Sequence, residues 1–338
     1  MIITRLEGGL GNQMFEYAAA RWLSHKYSTP LKLDLSWFEV HTLRQYNLNC
    51  FNIHVDFATD REIEAIVGNY NIFRWLALKV GAKLGFKQTA TDLEEQRAVA
   101  AIIHSHNFNL ASWWVASLKH ALGLHRSVKE LYQQGRYFRQ RHNGFDPHFL
   151  HVPDQVYIHG FWQSEQYFSG IEDILRQEFT LRNPTTALFD QMAAAISRTN
   201  AVSLHVRRGD MANDPETNRL HGVCSLDYYK LAVEYIAEHV SQPHFFIFSD
   251  DSDWVKENLD LKFPTTVVSY NNALQDYEEL LLMSQCQHHI TANSSFSWWG
   301  AWLNPKPDKI VVSPKQWFGA FAYDHDTKDL IPSAWTTL

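Results

Sequence analysis

Ala201-Val202-Ser203-Leu204-His205-Val206-Arg207-Arg208-Gly209-Asp210 is the stretch on which the fold of this chain turns. Ala201 to Val206 is a short, mostly apolar run of the length and composition of a buried strand. It runs out into two adjacent arginines and a carboxylate. Arginine is permanently charged and presents a planar fork of donors, so such a pair on a loop leaving a sheet suits a bound phosphate or diphosphate. An ion pair with Asp210 that only holds the loop is the competing reading.

Outward from this run the pattern is regular. Helix Leu226 to Val240, strand Phe245 to Phe248, helix Ser252 to Leu259, strand Thr265 to Ser269, helix Leu274 to Cys286, strand His288 to Ile290, helix Ser295 to Leu303 and strand Lys309 to Val312 follow in alternation. Short apolar strands alternating with helices predict a parallel, doubly wound sheet. Asn183-Pro184 marks a boundary before it, dividing the chain into residues 1–183 and 184–338. The first half opens the same way, with strand Met1 to Leu6, a tight Gly8-Gly9-Leu10-Gly11 loop, helix Asn12 to Tyr27 and strand Leu31 to Leu35. Met14 stands where a dinucleotide fingerprint needs its third glycine, which argues against a NAD-dependent dehydrogenase. A capping box at Thr59 to Glu62 starts a further helix. Ile72 to Phe86 reads as a helix with a basic edge, either packed on the body or lying on an anionic membrane surface. Residues 100 to 150 read as loops and short helices; Val156 to Phe161 is a strand, and Glu165 to Phe179 a helix.

Composition limits the function classes. The chain has 338 residues, 45% of them hydrophobic and 20% charged, an ordinary globular balance with length for two domains. A formal charge of −7 excludes a general nucleic-acid binder, which needs a basic face. Cys50, Cys224 and Cys286 are far apart and odd in number, so neither a disulfide framework nor a zinc site is expected. With no basic-then-apolar leader and no apolar run of about 18 residues, the reading is cytoplasmic, with peripheral contact at the inner membrane as an option.

In a doubly wound sheet, ligands bind beyond the carboxyl ends of the strands. Three strands here end in polar runs: His205 to Asp210, Ser249-Asp250-Asp251, and Thr291 to Ser295 before a helix carrying Trp298, Trp299 and Trp302. Hydroxyls and free amides at a helix start favour phosphate, and an ionised carboxylate can accept from the N–H edge of a guanine. Singly, each run also reads as a cap or a turn; together they point to a nucleotide site. Asp251-Ser252-Asp253 spells a metal-holding Asp-x-Asp, but the arginines and the helix end already supply positive charge for a diphosphate, so no metal is expected. His288 and His289, adjacent on a strand, point to opposite faces and cannot share an ion. A glycan on Asn293 would block the phosphate site.

Gly8-Gly9-Leu10-Gly11-Asn12-Gln13-Met14-Phe15, Phe161-Trp162-Gln163-Ser164-Glu165, His205 to Asp210, Phe248 to Asp251 and Asn293 to Gly300 together resemble the signatures of the inverting α-1,2-fucosyltransferases that use GDP-fucose, notably the bacterial members. The likeness is thin between about residues 60 and 150. It implies a GT-B-like α/β fold of two Rossmann-type domains facing a cleft, with residues 1–183 on the acceptor side and 184–338 holding GDP-fucose. By the same resemblance, Arg207 would bind the diphosphate, His205 and Asp250 the guanine, and Ser294 and Ser295 the phosphates, with Asn293 also among the donor-binding residues. Gly9, Gly11, Asn12 and Gln13 would close over the diphosphate, and Trp162 and Gln163 would meet the acceptor. The partners are then GDP-fucose and a galactose-terminated glycan. Asp210 is either the base that takes the acceptor proton or a structural partner of Arg208. A non-catalytic carbohydrate-binding protein with a nucleotide-shaped cleft is the rival from another class; Trp298 and Trp302, four apart on a helix, would be its stacking pair unless they pack in the core.

Overall fold

A computed structural model describes residues 1–39, 41, 44–67, 135–268, 274–319 and 326–338 of the chain. Its first sheet comprises β1 (Ile2–Arg5), β2 (Leu31–Asp34), β3 (Asp56–Phe57), β4 (Tyr137–Arg139) and β5 (Val156–His159) in the order β3-β2-β1-β5-β4. The second comprises β6 (Asn200–Val206), β7 (Pro243–Ser249), β8 (Thr265–Val267), β9 (His288–Ile290), β10 (Val311–Ser313) and β11 (Thr336–Thr337) in the order β11-β10-β9-β6-β7-β8. All registered pairs are parallel. The helices are α1 (Leu10–Tyr27), α2 (Asp60–Val67), α3 (Glu172–Glu178), α4 (Ala187–Ser197), α5 (Gly209–Asn213), α6 (Pro215–His221), α7 (Leu226–His239), α8 (Ser252–Asn258), α9 (Asp276–Gln285) and α10 (Ser295–Leu303). Two doubly wound parallel sheets in one chain are the GT-B-like arrangement that the sequence implies.

β6 lies between β7 and β9, and Ala201 to Val206 are all buried, so the strand that opened the reading is the centre of its sheet. Strand order reverses there, which puts the residues leaving β6 at a topological switch point. α1 begins without a side-chain cap and ends at Ser28 in the left-handed conformation (φ 49°), two residues before Pro30. Its run of Ala18, Ala19 and Ala20 is completely buried.

One core cluster spans the two halves, whereas the other three each lie within one half. α10, although it belongs to the second half, buries Trp298 and Trp299 completely, and both join the cluster that holds Phe15 of α1 and Phe168. Phe15 lies 4.5 and 4.9 Å from the two indoles. Burial of each such side chain contributes roughly 1.5–3 kcal/mol, so α10 is a hydrophobic bolt between the halves. Trp298 and Trp302 are stacked on each other inside it, as packing and not as a sugar platform.

The structure departs from the sequence reading in several elements. The single helix expected over Glu165 to Phe179 is a 3-10 turn at Glu165–Phe168 and then α3, because Gly170 sits at φ +89° between them. β3, β4, β11 and α4 were not anticipated; α4 nonetheless carries a Thr186 cap. β9 matches its expected bounds, whereas β8 ends two residues early and β10 begins two residues late. The Thr59 to Glu62 capping box forms as read, with Glu62 N–H donating to Thr59 Oγ1 at 3.3 Å. The basic-edged helix over Ile72 to Phe86 lies outside the described residues.

Candidate active site at the strand ends

The chain leaving β6 turns sharply at Arg208 (φ −134°, ψ −73°) and at Gly209 (φ +23°). A Cβ on Gly209 would come within 2.4 Å of Asp250 Oδ2, so glycine is what lets the β7 end press against this corner. Arg207 donates through Nη1 to Asp250 and through Nη2 to Asp210. Arg208 does not pair with Asp210 as expected. Its Nε reaches Asp251 at 3.3 Å, its guanidinium lies 4.0 Å from the Trp254 ring, and its backbone N–H donates to Asp250 Oδ1 at 2.8 Å. The correction has a simple cause: successive residues of the turn point apart, whereas Arg207 and Asp210, three apart at the start of a helical turn, share a face.

Asp210 holds a second guanidinium, absent from the sequence reading. Arg44, from the first half, donates from Nη2 to Asp210 Oδ2 at 2.7 Å. An arginine in a segment without a motif gave no local signal. Asp250 accepts from Arg207 and from Arg208 N–H; an ionised carboxylate has about four acceptor positions, so capacity remains for a base edge. Asp251 caps α8 by accepting from Trp254 N–H at 3.1 Å, whereas Asp253 pairs with Lys256. The two carboxylates of the Asp-x-Asp run therefore serve separate local partners.

His205 is buried, and its Nδ1 has no hydrogen-bond partner. Burial and then the Arg207 charge push its pKa down to about 3, so the ring is neutral at physiological pH. An unmatched buried nitrogen costs about 1–3 kcal/mol, which a ligand atom placed there would recover. His289, in contrast, is fully matched: Asn304 Nδ2 donates to its Nε2 at 2.9 Å, and its Nδ1 lies 2.8 Å from Ser203 Oγ. His288 points elsewhere and accepts from Ile310 N–H.

Across the cleft, the glycine loop is open at one end and closed at the other. A Cβ on Gly9 would meet nothing within 4 Å, whereas one on Gly11 would lie 2.6 Å from the backbone of Ser295 and Phe296. Gly11 thus seats directly on the start of α10, and its carbonyl accepts from Trp299 Nε1 at 3.0 Å. Asn12 Oδ1 accepts from Ser295 Oγ at 2.7 Å and from Gln163 Nε2 at 2.9 Å, so these three side chains form a knot between the halves.

Several residues expected at the ligand have partners within the fold. Gln13 is fully buried, donates to the Gly8 and Gln45 carbonyls and accepts from Asn47 N–H, which leaves no free hydrogen-bonding edge. Asn293 Nδ2 donates to the carbonyls of His221, Gly222 and Trp317, and Ser294 caps α10 through Phe296 N–H. Trp162 is completely buried among Phe138, Phe149 and Tyr167 and cannot touch an acceptor. Polar type and motif position suggested exposure; the backbone turned these side chains inward.

Beside the glycine loop lies a charged cluster that the sequence reading also missed. Glu7 Oε1 lies 2.7 Å from Arg5 Nε and 2.9 Å from His159 Nε2, and Tyr137 Oη lies 2.9 Å from His159 Nδ1. Burial pushes the Glu7 carboxyl up, but His159 and Arg5 outweigh it and hold the pKa at about 2. Glu16 accepts from Glu7 N–H at 2.8 Å; burial and then the Glu7 charge push its carboxyl well above the usual range. A larger cavity, of about 850 Å³, sits at the opposite end of the second sheet around Asn200 and Pro243, away from all of these groups.

Guanidiniums and carboxylates at the carboxyl end of a central parallel strand, in a chain with a second parallel sheet, fit the GT-B-like fold class. The model of glycosyl transferase family 11 matches residues 118–336. The chain belongs to that family. It is 30% identical to an alpha-1,2-colitosyltransferase of Escherichia coli, over 94% of this chain and 92% of that one. It is 31% identical to the O-antigen biosynthesis glycosyltransferase WbnK of Escherichia coli, over 93% of each. Among solved structures, fucosyltransferase NodZ from Bradyrhizobium aligns over 90% of this chain and 93% of its own, at 12% identity and a TM-score of 0.43. Among the described residues, no helix is long and apolar enough to cross a membrane.

Proposed function

We propose that this glycosyltransferase moves L-fucose from GDP-fucose to the 2-hydroxyl of a terminal galactose, with inversion, acting as a galactoside α-1,2-fucosyltransferase. The acceptor is a galactose-terminated oligosaccharide or glycolipid of the O-antigen type. The observation that carries the reading is Arg207, delivered by the central strand β6 and held only by carboxylates that an incoming diphosphate can replace. Residues 1–183 form the acceptor side and 184–338 the donor side. The guanine lies at His205 and takes the spare acceptor capacity of Asp250. The phosphates lie against Arg207 and the open Gly9 end of the loop.

The step needs little covalent chemistry from the protein. The acceptor hydroxyl attacks the anomeric carbon from the face opposite the diphosphate, the carbon–oxygen bond to the β-phosphate breaks, and GDP carries away the electron pair. Charge builds on the β-phosphate as the bond opens, and a guanidinium fixed there stabilises the transition state more than the ground state. Asp210 accepts the hydroxyl proton. Arg44, Arg207 and Arg208 supply positive charge at the diphosphate, so the reaction runs without a metal ion or other cofactor. The enzyme works on the cytoplasmic side, at the inner-membrane surface when the acceptor is lipid-linked.

A second donor is favoured by one observation, the 30% identity to an α-1,2-colitosyltransferase. Colitose is fucose without its 3-hydroxyl. A site that hydrogen-bonds this hydroxyl rejects the deoxy donor by about 10⁴-fold, whereas an apolar site discriminates far less. Incubation with GDP-fucose or GDP-colitose and a panel of galactose-terminated disaccharides, with NMR of the product linkage, tests the reading. Fucose α-linked to O2 of galactose is expected; transfer from GDP-colitose alone, or to another position, contradicts it.

A further inference from the structure

Phe161 stands immediately before the buried Trp162, yet it is 42% exposed. Among the described residues, the other exposed large apolar side chains are Phe57, Leu220, Leu231 and Leu338. That corner is held against its own preference. Gly160 adopts φ +155°, where a Cβ would lie 2.4 Å from Gln140 Cβ, and Trp162 itself adopts φ 51°. A bulky residue in the left-handed region is rare and persists only where its surroundings enforce it. Here they do: Gln140 Oε1 accepts from Trp162 N–H at 3.0 Å, and the rings of Phe138, Phe149 and Tyr167 enclose the indole. The effect is to anchor one aromatic so that its neighbour faces outward on a rigid support.

Its position is equally specific. β1 and β5 run side by side with Thr4 opposite Ile158, so the chain leaves β5 at Phe161 where the other strand leaves at Glu7 and enters the glycine loop. Gln163, two residues on, is tied to Asn12 of that loop. The chain at Phe161 therefore lies beside the glycine loop, on the side that the reading above gives to the acceptor.

We propose that Phe161 is the stacking platform for the acceptor, taking the apolar C–H face of a terminal pyranose. The inference rests on the reading above that the acceptor ends in galactose. Aromatic rings on a fixed support suit sugar faces, because the ring offers a large apolar area at little conformational cost.

Saturation-transfer NMR with methyl β-D-galactopyranoside in the presence of GDP, on wild type, Phe161→Tyr, Phe161→Leu and Phe161→Ala, tests this. Saturation is expected to concentrate on H3, H4 and H5 of the sugar in wild type and Phe161→Tyr, and to be lost in Phe161→Leu and Phe161→Ala. The acceptor KM should rise about tenfold in the last two, while the Kd for GDP stays within about twofold. Retained saturation and KM in Phe161→Leu would overturn the proposal, since an apolar side chain without a ring would then suffice. A Kd for GDP that moves with the acceptor KM in both variants, or a collapse of Tm in Phe161→Leu, would make Phe161 a packing residue and overturn it too. If wild type transfers no sugar from GDP-fucose, the functional reading fails instead, and the saturation pattern still reports on Phe161.

Discussion

Asp210 accepts from two guanidiniums, Arg207 beside it and Arg44 from the opposite half, and the proposed chemistry asks it also to accept a proton. Once a diphosphate engages Arg207, one of these partners is drawn off and a carboxylate lone pair becomes free. Asp210→Asn keeps the shape and removes the basicity. Its kcat should fall by about 10²-fold or more, as for loss of a general base. GDP should bind as tightly as before or more tightly, because one carboxylate competing for Arg207 is gone. Turnover near wild type in a coupled GDP-release assay would exclude Asp210 as the base. At this scale the sequence is readable for residue type and position, since Arg207 and Asp250 do meet at the adjacent ends of β6 and β7. It was not readable for partnership, because the Arg208 and Gly209 dihedrals decide which guanidinium meets which carboxylate. Trp162 misled for the same reason: its positive φ turns a motif aromatic into the core.

α1 and α10 meet at their N-termini, and that meeting joins the two halves of the chain. Gly11 permits it, since any β-carbon there would strike the Ser295 and Phe296 backbone at 2.6 Å, and backbone cannot swing aside as a long side chain can. Gly11→Ala should destabilise the chain by about 1–3 kcal/mol, the range for overpacking a close contact. Denaturant unfolding measures it through a lowered midpoint; an unchanged midpoint would show that the two helices can part without loss. Helix and strand alternation was legible in the second half because short apolar runs and caps punctuate it. β3 and β4 are not legible, since they are only two and three residues long and lack the helix-strand alternation that flanks the equally short β8 and β9. The division of Glu165 to Phe179 was marked by Ser169-Gly170, a turn signal within an otherwise helical pattern.

The molecule as a whole is two parallel sheets whose carboxyl ends share one cleft, bolted by a tryptophan-rich helix that belongs to one half and is buried in the core of the other. The sequence suggests two domains with a boundary near Pro184, and one core cluster crosses that boundary: chain order shows where a pattern changes, not which apolar faces end up together. The cleft's central claim is that the donor's diphosphate rests on Arg207 at the end of β6. Calorimetric titration of GDP into wild type and Arg207→Ala, each with and without EDTA, tests it most directly. GDP should bind wild type equally well with or without the chelator, and at least about tenfold more weakly to the variant, as for loss of a charged hydrogen-bonded contact. Equal affinity in wild type and Arg207→Ala, or binding that EDTA abolishes, would contradict it.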